Sequence, residues 1–163
     1  LGDESGKISV PATWEAQGYS RHIDGEAHYT RSIVIPSEWD GQRVQIQFGA
    51  VSYHAEVYIN DTHVGSHTGL WTSFAFDITD AVRIDEINSI HITVTKPGTT
   101  YPMRESLAGF LPDVATTFGG IWGNVQLIAT IESTDFDLEL QVESPRYWQP
   151  NDPHLYEIGC TVE

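Results

Sequence analysis

The stretch VSYHAEVYINDTHVGSHTGLWTSFAFDI, residues 51–78, decides the fold. Apolar side chains recur at alternate positions in its first half, which is the period-two pattern of a strand with one face in a core. The alternating residues are Ala55, Val57 and Ile59. Asn60-Asp61 follows, and both residue types accept the positive φ of a two-residue hairpin turn. The stretch therefore predicts a β-hairpin, after which the alternation resumes toward Ile78.

The same alternation recurs outside this stretch. It predicts strands over residues 29–35, 44–48 and 88–95, and a short strand over residues 8–10, ahead of Pro11. In residues 29–35, Arg31 falls on the register of the apolar residues, so it needs a buried acidic partner or must emerge at a sheet edge. About nine or ten short strands with turn residues between them predict an all-β fold, an antiparallel β-sandwich.

The charge composition of the chain limits the classes of molecule that it is expected to bind. The 163 residues include 8 basic and 23 acidic side chains, for a formal charge of −15. Nucleic acid and anionic membranes bind positively charged surfaces, so neither is expected as a partner. No cofactor is expected; an acidic surface suits a weak structural calcium site, but no ligand motif supports one. Neutral carbohydrate remains compatible with this charge.

The cysteine content and the chain ends give less information about compartment and function. The single cysteine, Cys160, excludes an internal disulfide and leaves the redox compartment undecided, although an acidic surface favours an extracellular or periplasmic location. No apolar run reaches the length of a membrane span. The chain begins at Leu1 without a signal-like segment, which is the expectation for a fragment of a larger protein.

The segment KPGTTYPMRESLAGFLPDVATTF, residues 96–118, interrupts the regular pattern. It contains prolines and glycines and has no usable period. A connection this long in a compact domain is usually functional or disordered. This segment and its flanks are therefore the expected location of binding residues.

Residues spread along the chain resemble the N-terminal sugar-binding domain of glycoside hydrolase family 2, the family of β-galactosidases, β-glucuronidases and β-mannosidases. In the opening stretch the matching residues are Ala55, Val57, Asn60, Val64-Gly65, His67, Gly69, Trp71, Phe74 and Asp77-Ile78. Asp61 departs from the family pattern, where glycine is usual, as does Leu70. The closing motif GGIWGNVQL, residues 119–127, also matches.

This resemblance implies a jelly-roll, galactose-binding-like sandwich in which Trp14 and Tyr19 are structural. It further implies that the segment before Gly119 projects toward a catalytic barrel and helps to line a sugar pocket. Residues 143–163 resemble the end of the family's immunoglobulin-like domain, whose body is missing here. We predict one domain over residues 1–163, in which the sugar-binding-like portion, 1–132, pairs with C-terminal strands from 133–163.

Two functions from different classes follow. The first is a non-catalytic carbohydrate-binding module, because aromatic side chains stack on pyranose rings while polar ones bond to hydroxyls. The proposed stacking residues are Trp71, Tyr101 and Trp122, and the proposed hydroxyl partners are Arg104, Glu105 and Asp113. The second is a structural domain that packs on a glycosidase barrel or partner subunit, with the same aromatics as interface anchors. Trp122 is also consistent with a plug at the end of the sandwich.

Catalysis by these residues alone is not expected. Family 2 chemistry uses two carboxylates about 5 Å apart, carried by a barrel of roughly 250 residues. Glu105 and Asp113 are acidic residues of the irregular segment, but no motif fixes their separation. The glycan, the affinity and the oligomeric state are not encoded in any recognisable motif.

Overall fold

A computed structural model describes residues 6–102 and 117–131. Nine strands lie in these ranges, with short 3-10 turns at Glu15–Gln17 and Ser37–Trp39. The strands are β1 (Glu26–Val34), β2 (Arg43–Phe48), β3 (Val51–Ser52), β4 (His54–Ile59), β5 (Thr62–Thr68), β6 (Phe74–Asp77), β7 (Ile87–Thr95), β8 (Gly120–Ile121) and β9 (Val125–Thr130).

The strands form antiparallel sheets that face each other across one core. Four strands pair in the order β1-β7-β4-β5, three in the order β6-β2-β9, and β3 pairs with β8. Alternate residues of β2, β4 and β7 are buried between the sheets, and their neighbours point outward. The buried residues of these strands include Val44, Ile46, Phe48, Ala55, Val57, Ile59, Ile90, Ile92 and Val94. This arrangement confirms the predicted all-β sandwich.

The predicted hairpin is present between β4 and β5. Asn60 and Asp61 have φ values of 48° and 66°, the positive range that a two-residue turn of this kind requires. The side chain of Asn60 adds to the turn, because its Oδ1 accepts the backbone N–H of Ser89 at 3.0 Å. The hairpin is therefore tied to β7 as well as to its own strands.

The strand predicted over residues 8–10 was wrong. The Gln17 side chain bonds both backbone groups of Ser9: its Oε1 accepts the N–H at 2.6 Å and its Nε2 donates to the carbonyl at 3.1 Å. These groups are therefore not offered to a neighbouring strand. The first main-chain contacts with a strand come later, where Ala12 N–H donates to the Ile121 carbonyl at 2.9 Å.

Arg31 lies exposed on β1, which forms one edge of the four-stranded sheet. Of the two alternatives for this residue, emergence at an edge is the one observed. Trp14 is buried in the core, as expected for a structural residue, and its indole N–H donates to the Tyr29 hydroxyl. The absence of a side chain at Gly119 makes room for this ring, since a Cβ there would lie 2.3 Å from it.

The described residues belong to the first of two units into which the chain divides, Leu1–Glu132, and the second, Ser133–Glu163, lies outside them. The pairing of the C-terminal strands with the sandwich therefore stays a prediction. Within the described ranges, no helix has the length and apolar character needed to cross a membrane.

Candidate functional site

The β5–β6 connection and both ends of the β7–β8 connection meet at one end of the sandwich. His54 opens β4 and pairs with Thr68 at the end of β5 and with Thr95 at the end of β7. Beside it, Ser52 of β3 pairs with Gly120 of β8. The segments that follow β5 and β7, and the one that precedes β8, therefore meet at this end.

An aromatic cluster formed by Trp71, Phe118 and Trp122 lies there. The ring centroids of Trp71 and Trp122 are 5.2 Å apart with planes at 81°, and Phe118 lies 6.0 Å from Trp71 and 5.8 Å from Trp122. Such edge-to-face contacts are the preferred geometry of aromatic pairs. Trp71 nevertheless remains 68% exposed, so it is an oriented ring that faces solvent.

Backbone bonds hold the segments that carry this cluster. The N–H of Gly69 donates to the Tyr53 carbonyl at 2.9 Å, and that of Trp122 donates to the Ala50 carbonyl at 3.2 Å. The buried Ser52 hydroxyl donates to the Phe118 carbonyl at 2.6 Å. The cluster is thus built on the sheet rather than on a free loop, which is the condition for a preorganised binding surface.

Trp122 has one further property. Its Nε1 is buried, and within the part of the chain that the structure describes no group accepts its hydrogen. Buried polar atoms normally have a hydrogen-bond partner, because the group loses its bond to water without one.

Tyr101 belongs to a second aromatic group at the same end. Its ring lies 5.4 Å from that of Tyr53 and 5.2 Å from that of His54. Its backbone carbonyl accepts the N–H of Gly98 at 2.8 Å, which closes a turn directly after β7. Partial burial raises the pKa of the Tyr101 phenol, and the nearby charge of Glu56 adds to this.

The other predicted site residues, Arg104, Glu105 and Asp113, lie outside the described residues. The segment that carries them leaves from Pro102 and returns at Thr117, next to the two aromatic groups. Of the six predicted residues, the structure thus brings Trp71 and Trp122 together and places Tyr101 at the same end. The roles assigned to the remaining three stay predictions.

A buried ion pair lies where this segment departs and returns. The side chain of Lys96 is only 4% exposed, and its Nζ lies 3.4 Å from Glu15 Oε1. Nζ also donates to the Arg21 carbonyl at 2.7 Å and to the Thr117 carbonyl at 3.5 Å. Glu15 Oε2 accepts the Gly119 N–H at 3.2 Å. The pair therefore ties the end of β7 to the N-terminal segment and to the residues before β8.

A carboxylate between two imidazoles lies on the outer face of the four-stranded sheet. Glu56 accepts from His54 Nε2 at 2.9 Å and from His63 Nε2 at 2.6 Å. Partial burial opposes ionisation of Glu56, but these hydrogen bonds outweigh it, so its pKa is lowered. Across residues 6–102 and 117–131, no three His, Cys, Asp or Glu side chains are placed to hold a metal ion.

His67 takes a different role from His63, although both lie on β5. Its ring stacks on Phe74 at 4.1 Å with an interplanar angle of 16°, and its Nε2 lies 3.0 Å from the Thr72 hydroxyl. Burial, together with the charge of His54, lowers the pKa of this imidazole. His67 is therefore mainly neutral at pH 7. Its contacts with Phe74 and Thr72 connect β5 to β6 and to the loop that carries Trp71.

Two features of this end were missed by inspection of the sequence. The alternation of β7 continues from Val94 to position 96, so Lys96 could have been recognised as a lysine in a core-facing register. Phe118, directly before Gly119-Gly120, could have been recognised as a large apolar residue adjoining two residues that allow close packing. The partners of both come from distant parts of the chain.

The structure is thus an antiparallel β-sandwich with a cluster of exposed and half-buried aromatic rings in the loops at one end. Residues 5–119 match the family described as "Glycosyl hydrolase 2 galactose-binding domain-like". The chain belongs to this family.

Individual relatives agree with this assignment. A β-glucuronidase of Bacteroides fragilis is 31% identical over 131 residues, 78% of this chain and 18% of its own length. A β-galactosidase of Thermoanaerobacter pseudethanolicus is 32% identical over 61% of this chain and 13% of its own length. Among solved structures, β-glucuronidase 2 of Bacteroides uniformis superposes with a TM-score of 0.63 at 27% identity, over 76% of this chain and 14% of that protein. The chain therefore spans less than a fifth of the length of these relatives.

Proposed function

We propose that this chain is a non-catalytic carbohydrate-binding module whose sugar site lies at the end of the sandwich that carries Trp71 and Trp122. Tyr101 flanks the site, and Arg104, Glu105 and Asp113 bond to sugar hydroxyls from the segment between Pro102 and Thr117. The protein to which the module belongs acts on a β-glycoside, as the β-glucuronidases and β-galactosidases among its relatives do by name.

The observation that carries this proposal is the exposure and the fixed orientation of the Trp71 ring. A tryptophan this exposed, at 68%, is unusual for a residue that only fills a core, yet its ring is oriented by edge-on contacts with Trp122 and Phe118. A fixed, solvent-facing indole provides the flat apolar surface on which the apolar face of a pyranose stacks. Tyr101, whose ring contacts Tyr53 and His54, adds an aromatic residue at the same end of the sandwich.

The absence of catalysis is part of the proposal. A family 2 catalytic barrel needs roughly 250 residues, more than the whole of this chain. We therefore expect the 163 residues to bind and position sugar without cleaving it. Hydrolysis of an aryl β-glycoside that copurifies with the chain and disappears in Glu105→Ala would contradict this expectation.

The test is a glycan array on the purified chain, followed by calorimetric titration with the best ligand. Trp71→Ala should weaken binding at least about tenfold, as expected for a central aromatic contact, without changing the melting temperature by more than about 2 °C. Ile87→Ala is the matched control, because Ile87 is an apolar residue of similar exposure, 70%, at the far end of β7. Equal affinity of the Trp71→Ala variant and the parent chain would remove Trp71 from the site.

A second candidate function is docking on a catalytic barrel or partner subunit. The observation that favours it is the solvent-exposed Trp71 ring packed on Trp122 and Phe118, an aromatic cluster of the kind that anchors protein interfaces. The two functions differ in one measurement. If the array is empty and the chain binds a separately expressed family 2 barrel through Trp71 and Trp122, docking is the function.

A further inference from the structure

A groove of about 530 Å³ lies at the other end of the sandwich. It is bounded by the turn before β2 and the turn after β6, and its lining includes Trp39, Gln42, Arg43, Asp77, Thr79 and Asp80. β2 starts at this groove and runs toward Ala50, which bonds the backbone of Trp122. At about 3.3 Å per residue, Arg43 and Ala50 are roughly 20 Å apart, so the groove is separate from the site at Trp71.

The polar groups of the groove are oriented in advance. Asp77 Oδ1 accepts the backbone N–H of Thr79 at 3.0 Å and its hydroxyl at 2.6 Å, and Oδ2 accepts Arg43 Nε at 2.7 Å. The bond to Asp77 uses one of the three guanidinium nitrogens of Arg43. The Arg43 and Asp77 side chains are 51% and 43% exposed, so both can still reach a ligand.

The walls of the groove are attached to the core. Thr79 Oγ1 accepts the backbone N–H of Val44 at 2.9 Å, which fastens the turn after β6 to β2. Trp39 is half-buried and packs against the hydrophobic core, and its carbonyl accepts the N–H of Gln42 at 3.1 Å. An ionised carboxylate and a guanidinium are therefore held at a fixed position beside an indole.

We propose that this groove is a second carbohydrate-binding site, which takes a neutral pyranose. The Trp39 ring would pack against the apolar face of the sugar, while Asp77 accepts from one hydroxyl and Arg43 donates to a neighbouring one. This inference does not depend on the function proposed for the Trp71 end.

The charge of the lining selects the class of sugar. Asp40, Asp77 and Asp80 line the groove with one guanidinium, that of Arg43, in a chain of formal charge −15. The Thr79 hydroxyl and N–H, followed by Arg43, lower the pKa of Asp77 to about 2, so this carboxyl is ionised at neutral pH. A uronate or sulfated sugar would bring like charges together, whereas a neutral pyranose would not.

The experiment is an NMR titration of the full chain with methyl β-D-galactopyranoside, methyl β-D-glucopyranoside and methyl β-D-glucuronide, followed at the indole N–H of Trp39 and Nε–H of Arg43. At least one neutral glycoside should shift both signals saturably, and the glucuronide should bind at least about fivefold more weakly because of charge repulsion. Unmoved Trp39 and Arg43 signals with both neutral glycosides, or equal binding of the glucuronide, would overturn the proposal.

Variants separate this site from the first one. Arg43→Gln and Asp77→Asn should each weaken binding at least about fivefold through loss of a charge-assisted hydrogen bond, and Asp77→Asn keeps an acceptor for Thr79. Arg31→Gln, which changes an exposed arginine of β1, is the matched control, and Trp71→Ala should leave this titration unchanged. Equal affinity in Arg43→Gln and Arg31→Gln would remove Arg43 from the site. The Trp71 indole signal reports the first site independently, so the failure of either proposal is visible without the other.

Discussion

Lys96 and Glu15 form a buried ion pair, Nζ to Oε1 3.4 Å, that joins residues 81 positions apart in the sequence. Through this pair and the carbonyls of Arg21 and Thr117, a single ammonium group connects three parts of the chain. Thr117 directly follows the segment that carries Arg104, Glu105 and Asp113. The ion pair therefore fastens the return of this segment to β7 and to the N-terminal residues.

Replacing Lys96 tests this role. Lys96→Met should lower the free energy of unfolding by about 3–5 kcal/mol, because Glu15 is left as an unpaired charge in a largely buried position. The Lys96→Met/Glu15→Gln double variant should recover part of this loss, since no buried charge remains. Urea denaturation of the parent chain, the Lys96→Met and Glu15→Gln single variants and the double variant gives the comparison. Each loss is the decrease in free energy of unfolding relative to the parent chain. If the loss in the double variant equals the sum of the losses in the two single variants, the two residues do not interact as a pair.

Asp77 should titrate far below an ordinary carboxyl group. Its pKa of about 2, against an ordinary 3.8, means that its contribution to stability is present above pH 3.8 and is lost as the pH falls through about 2. Carboxyl carbon shifts measured by NMR between pH 1.5 and 5 follow this group directly. Thr79→Val should raise the Asp77 pKa more than Arg43→Gln does, because the bond from the Thr79 hydroxyl, which this variant removes, is the largest single cause. The reverse order would show that the guanidinium dominates.

His67 should make the protein less stable in mild acid. Its pKa is lowered in the folded state, so the unfolded chain binds a proton first as the pH falls below about 6.5, and the folded state loses stability from there down to the folded pKa. His67→Phe keeps a ring against Phe74 and removes the proton-binding group. Its free energy of unfolding should therefore fall less between pH 7.5 and 5.5 than that of the parent chain. His22→Phe, which changes an exposed histidine, is the control. A parallel pH dependence in His67→Phe and the parent chain would contradict the assignment.

The amphipathic pattern of residues 136–142 predicts that the C-terminal strands belong to the same folding unit. Four apolar residues that alternate there, Phe136, Leu138, Leu140 and Val142, would together contribute several kcal/mol, at about 1.5–3 kcal/mol each. Deleting residues 133–163 should therefore lower the melting temperature markedly or give insoluble protein. A deletion of equal stability would show that this segment is an independent appendage.

Local pattern was sufficient for the central strands β2, β4 and β7 and for their inward faces. The alternation of Ala55, Val57 and Ile59, and the positive φ at Asn60 and Asp61, follow from the pleat of a strand and from the conformations that these side chains accept. Both depend on neighbours a few residues away. The sandwich class and the family followed from such motifs spread along the chain.

Only the tertiary structure decided which groups meet. The Trp71–Trp122 contact depends on β8 pairing with β3, and the burial of Lys96 depends on Glu15, far earlier in the chain. The strand expected over residues 8–10 failed for the same reason, since a side chain from Gln17 takes the hydrogen bonds of Ser9. Hydrogen bonds and ion pairs form between groups that are close in space, whatever their separation in the sequence. A periodic pattern in the sequence predicts only which face of a strand a residue occupies.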